Sequence, residues 1–149
     1  MRDRQLTESR NAELAAELLD VTNQAELEGF LRRVVTATAG RVGGRLPAGT
    51  GRDLVAQLGR TAERTLPTLA TLLGDPLGPG AGAPAAARVY GLELEGMSAE
   101  DRDYEIARQF LRFAQSATAR AATTAASPAA AVAGAAREFA PGLARPVST

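Results

Sequence analysis

The side chains most suited to metal binding or catalysis lie in one acidic stretch from Glu93 to Glu105, which holds six carboxylates and one arginine. A calcium or magnesium site would draw on Asp101, Asp103 and Glu105, and an enzyme that uses only carboxylates would draw on two acidic residues among Glu100, Asp101, Asp103 and Glu105. A calcium loop, however, spreads its oxygen ligands over about twelve residues around a glycine turn, and no glycine lies among these four. The spacing therefore favours carboxylates that stabilise the start of a helix.

The rest of the composition excludes most other chemistry. All 17 cationic residues are arginine, 17 carboxylates balance them, and lysine, histidine, cysteine and tryptophan are absent. Zinc sites of the usual Cys/His kind, thiolate nucleophiles, Ser-His-Asp relays and lysine Schiff bases are thereby excluded. Residues 44–50 match a phosphate-binding loop only in part, because Thr50 stands where that loop needs lysine. We expect no catalytic residues, no metal, no cofactor and no enzymatic activity, and the scattered arginines predict no nucleic-acid binding.

The fold class follows from the apolar residues. Alanine contributes 32 of them, whereas valine and isoleucine together contribute nine. So few β-branched residues cannot build an ordinary sheet core, so the chain is predicted to be all-α, with short helices joined by Gly/Pro-rich linkers. Because alanine buries little area, the core should be thin, and self-association or a protein partner is expected to add stability.

Caps, hydrophobic spacing and breaker residues divide the chain into six segments. They are an N-terminal helical hairpin (1–39), a Gly-rich linker (40–51), a middle helix broken at Pro67 (52–73), a Gly/Pro-rich irregular segment (74–97), a C-terminal helical pair (98–142) and a tail (143–149).

Helix starts are marked by capping residues. Asn23 and Ser98 each precede an acidic residue at the third helical position, and Ser127 is followed by proline at the first. The first helix is predicted from about Glu8, and the helix in the middle segment from a cap at Thr50.

Two apolar stripes at helical spacing belong to the hairpin and to the C-terminal pair. They are most simply core residues; the alternative is a docking stripe for a partner helix. The interaction residues under that alternative are Leu27, Phe30, Leu31, Val34, Ile106, Phe110, Leu111 and Phe113.

The glycine pairs Gly40/Gly44 and Gly74/Gly78 have the small-xxx-small spacing of close helix packing in membranes, and they motivate an alternative function as a small membrane-active or pore-forming protein. Charged residues and prolines surround both pairs, which favours linkers instead. The longest uncharged run, residues 121–136, is mostly alanine and contains Pro128, so no stable membrane span is predicted. The polar start of the chain predicts no signal peptide, and a bacterial cytoplasmic location is expected.

Three segments carry a resemblance to known proteins. They are ELAAELLDVTNQAELEGFLRRVV (13–35), LELEGMSAEDRDYEIARQFLRFA (92–114) and SPAAAVAGAAREFAPGL near the end. Together they resemble an uncharacterised family of small bacterial proteins associated with gene clusters for phage-tail-like contractile injection particles. The resemblance implies a helical protein that acts beside a particle, and it supplies no catalytic residues. Prolines 47, 67, 76 and 79 interrupt the regular glycine repeats of that family.

These observations predict a non-enzymatic helical assembly, adaptor or cargo protein of a larger bacterial particle. The membrane-active protein and an enzyme that uses only carboxylates are the alternatives from other classes.

Overall fold

A computed structural model of the chain describes residues 2–21, 23–65, 90–93, 96–124 and 127–141. This part of the chain folds into five α-helices and contains no strand, which confirms the all-α prediction. The helices are α1 (Arg2–Leu19), α2 (Gln24–Arg41), α3 (Ala48–Thr65), α4 (Ala99–Thr124) and α5 (Pro128–Phe139).

The predicted caps are present at three helix starts. The Asn23 side chain accepts a hydrogen bond from the backbone N–H of Glu26 at 2.9 Å. The Ser98 hydroxyl accepts one from the backbone N–H of Asp101 at 3.2 Å, and Ser127 caps α5 in the same way, also at 3.2 Å. Each bond satisfies an amide that the first helical turn leaves without a partner.

Two helices begin earlier than the sequence predicts. α1 starts at Arg2 and not near Glu8, because no breaker residue precedes that point. α3 starts at Ala48, inside the predicted linker, and the Gly51 amide donates to the Pro47 carbonyl at 3.0 Å as its first turn. Thr50 therefore lies within the helix and is not its cap. A glycine costs a helix only about 1 kcal/mol, which the packing of the same helix outweighs.

Several predicted boundaries lie outside the described residues. These include the break at Pro67, most of the irregular segment (74–89 and 94–95), residue 142 and the tail (143–149). The described parts of the irregular segment contain Gly91 and Gly96 with φ of 69° and 81°, a backbone conformation that glycine adopts without strain.

One hydrophobic core joins the N-terminal and C-terminal helices, and α4 lies at its centre. α4 packs against each of the other four helices, and α2 also packs against α3. The helices of the predicted hairpin are linked by a short turn and by an ion pair between Glu17 and Arg33. They nevertheless pack chiefly on other helices: α1 on α4, and α2 on α3 and α4.

Polar bonds fix the neighbours of α4. The side-chain amides of Asn11 and Gln115 exchange two hydrogen bonds, at 3.2 and 2.8 Å, between α1 and α4. On α5, the Phe139 carbonyl accepts a bond from Gln109 at 3.0 Å. Because hydrogen bonds are directional, these contacts set the register in which the alanine-rich faces of the helices meet.

The connection between α2 and α3 touches the far end of α4. A Cβ added to Gly44 would lie 2.6 Å from the Ala122 carbonyl oxygen and 2.7 Å from the Ala122 Cβ. Gly40, the other member of the predicted glycine pair, has no such neighbour within 4 Å. Only Gly44 therefore makes a close approach, and its partner is backbone that cannot swing away.

We expect Gly44→Ala to lower the free energy of unfolding by about 1–3 kcal/mol, because the added methyl group forces the connection away from α4. Denaturant unfolding measures the change. Gly29→Ala is the matched control, since Gly29 lies inside α2 with open space at its Cβ. It should raise stability by about 0.5–1 kcal/mol. If the two substitutions changed the free energy of unfolding equally, the close approach of Gly44 to Ala122 would be contradicted.

Candidate functional site

The four carboxylates singled out in the sequence do not converge. Glu100 and Asp101 are exposed in the first turn of α4. Asp103 is half-buried, and the half-buried Glu105 forms an ion pair with Arg108 at 3.1 Å. Among the described residues, no group of three or more acidic side chains is placed to hold a metal ion. In this structure Glu100 and Asp101, in the first turn, stabilise the start of α4.

One of them has a perturbed affinity for its proton. Partial burial raises the pKa of Asp103 above the ordinary aspartate value, and the neighbouring Arg102 guanidinium opposes that rise. Because the pKa is higher in the folded state than in the unfolded chain, ionisation of Asp103 disfavours the fold. That cost is absent below the unfolded pKa and is complete once the pH exceeds the folded one.

Asp103→Asn should therefore increase the free energy of unfolding at about pH 7, where the wild-type carboxylate is ionised, and the gain should shrink as the pH falls through the raised folded pKa and be lost below about 4. Denaturant unfolding at the two pH values measures it. Asp101→Asn provides the contrast, because this exposed residue lies in the first helical turn. Loss of its charge should lower stability at about pH 7 by about 0.3–1 kcal/mol. If Asp103→Asn lowered the free energy of unfolding as much as Asp101→Asn does, burial would not be the main influence on the stability contribution of the Asp103 carboxylate.

The eight apolar residues predicted as core or as a docking stripe are all buried in the chain's own core, with at most 3% of each exposed. The core interpretation is therefore confirmed. A partner could reach these side chains only if helices separated, so their use as an interaction stripe stays a prediction. Among the described residues, Val42 is the only large apolar side chain that is exposed, at 43%. A partner that binds the folded chain therefore contacts other residues.

A long groove lies along the surface where α2 packs on α3. It consists of two depressions, of about 370 and 490 Å³, which share Arg32, Arg52 and Val55 in their walls. The floor is apolar, with Leu31 at one end and Leu46 at the other.

The rim of this groove is strongly basic. It carries Arg32, Arg45, Arg52 and Arg60, and we call the feature the arginine groove. Arg32 pairs with Glu28, the carboxylate in the groove wall, at 2.7 Å. Within the described ranges, the other three arginines are exposed and have no ion-pair partner. The first turn of α3 also contains no acidic residue, so the positive end of its dipole is not neutralised.

A separate depression of about 470 Å³ lies beside α1, α2 and α4. Its lining includes two glutamates and two arginines. Glu17 and Arg33 in its wall are already paired. Its charges are balanced, whereas those of the arginine groove are not.

Chemically, the arginine groove can bind carboxylates or other oxyanions. A guanidinium group presents a rigid fork of N–H donors that matches a carboxylate in two parallel bonds, and the apolar floor can accommodate an adjoining aliphatic side chain. The lining contains one carboxylate, Glu28, and it is already paired with Arg32. The geometry suits binding.

Sequence reasoning missed this groove because it treated the arginines as scattered. A local signal did exist: Arg52, Ala56 and Arg60 are spaced four residues apart and so share one face of α3. Arg32 and Arg45 belong to other segments, and only the packing of α2 on α3 brings them to the same surface.

The chain matches no protein-family model, no curated protein and no solved structure closely enough to infer a relationship. The proposed role of the protein therefore rests on the geometry of the arginine groove.

Proposed function

We propose that this protein is a non-enzymatic helical assembly, adaptor or cargo protein of a larger bacterial particle and that it binds a protein partner through the arginine groove. The observation that carries this proposal is the set of three exposed, unpaired arginines above an apolar floor. Arginine is enriched at the energetic centres of protein interfaces, where its stem packs on apolar surface while its head binds acceptors.

The contrast between the core and the surface supports a binding role. Among the large apolar side chains that the structure describes, only Val42 is exposed, and the others are buried or half-buried. A partner that binds the folded chain therefore meets charge first, and charge complementarity governs the rate and the specificity of association.

The kind of particle is inferred from the resemblance of residues 13–35 and 92–114 to the family associated with contractile injection gene clusters. That resemblance supports a contractile injection-type particle as the assembly. As to the membrane-active alternative, no helix in the described ranges combines the length and the apolar character needed to cross a bilayer.

Purification of the affinity-tagged chain from its native host, followed by electron microscopy, tests the proposal. We expect a particle or polymer to co-purify. Arg52→Glu should reduce its recovery about tenfold or more, because the substitution places a negative charge between the two depressions and converts attraction into repulsion. Quantitative mass spectrometry of the eluate measures the loss.

Arg137→Glu is the matched control, since it changes the charge by the same amount at an exposed position on α5 that does not line the groove. It should leave recovery unchanged. Purification of the wild-type chain as a free monomer would contradict the assembly role. Equal losses for the two variants would show that net charge, and not the groove, retains the particle.

A further inference from the structure

The chain carries a second unbalanced surface that complements the arginine groove. Glu93, which precedes α4 in the chain, and Glu100 and Asp101, in the first turn of α4, are exposed, and within the described ranges none of them has an ion-pair partner. Half-buried Met97 lies between them in sequence and adds apolar surface. We call this surface the acidic end.

The two surfaces match in charge and in chemistry. Three unpaired arginines border the groove, and three unpaired carboxylates form the acidic end. The groove has an apolar floor for a side chain such as Met97. The chain as a whole has a formal net charge of zero, so copies of it do not repel one another through net charge, and the separated patches can steer them together.

Within one chain, the first turn of α4 cannot reach Arg45, which lies at the end of the groove nearest the connection between α2 and α3. Gly44, next to Arg45, lies against Ala122 near the end of α4, whereas Glu100 lies in the first turn of the same helix. From 100 to 122 an α-helix rises about 33 Å, far beyond the reach of a side-chain ion pair. Glu100 and Asp101 can therefore meet Arg45 only when they belong to another molecule.

From this arrangement we propose that the occupant of the arginine groove is the acidic end of a second copy of this chain. Each copy then uses its groove for one neighbour and its acidic end for another. Such a head-to-tail contact is heterologous, so it builds a ring or a filament and not a closed two-fold dimer. The inference rests on the proposed assembly function and names the partner of the same groove.

Charge reversal in trans tests the inference. The groove variant carries Arg52→Glu and Arg60→Glu, and the end variant carries Glu93→Arg and Glu100→Arg, which leaves the capping contact at Asp101 intact. In sedimentation velocity at about 50 mM salt, the wild-type chain should form species larger than the 15.4 kDa monomer, and these should dissociate at about 500 mM salt. Each variant alone should be monomeric, with self-association weakened about tenfold or more.

An equimolar mixture of the two variants should form mixed complexes, because the intact acidic end of one fits the intact groove of the other and the two reversed surfaces are also opposite in charge. Circular dichroism of each variant checks its folding. If the end variant is misfolded, Glu93→Gln with Glu100→Gln replaces it and should show the same monomeric state and the same rescue. The Arg137→Glu control should assemble like the wild type.

A wild-type chain that is monomeric at low salt and high concentration would overturn the inference. So would a mixture that yields no mixed complex while the wild type self-associates, since that result means the contact is not head-to-tail. Specific binding of a short DNA duplex at the groove of a monomeric chain would also overturn it. If the particle purified from the host still depends on Arg52 in these cases, the proposed function stands and only the identity of the partner is wrong.

Discussion

The structure depends on the close packing of α4 against four other helices. Ten of the 25 residues in the described core are alanine, and an alanine side chain buries so little area that the backbones must approach closely to gain dispersion energy. On α4 this role falls to Ala107, Ala114, Ala117 and Ala121, all buried. The contact of Gly44 with Ala122 extends the same constraint to the connection between α2 and α3.

Burial of the few large apolar side chains around α4 shapes the remaining surface. Phe30, Phe110 and Phe113 lie fully inside the chain, and the described surface is left with charged patches. Two of these patches are unbalanced and opposite in sign, although the chain as a whole is neutral. The proposed assembly role follows from this separation of charge, since it gives each copy one surface that another copy can complement.

Local interactions were the part of the fold that sequence reasoning predicted well. The caps at Asn23, Ser98 and Ser127 all join residues three positions apart, so local helix geometry alone determines them. The start of α3 was predicted wrongly, because the glycine content of residues 40–51 was taken as a barrier to a helix that tertiary packing supports.

The sequence by itself determined which chemistry the chain lacks, where its capped helices begin and which faces are apolar, because composition and helical period are local properties. The tertiary structure alone decided which side chains meet across segments. Asn11 finds Gln115, and Arg32 comes beside Arg52, only when the helices pack. Such contacts depend on the angle and distance between helices, which the summed packing of the whole core sets, and no spacing along one helix encodes them.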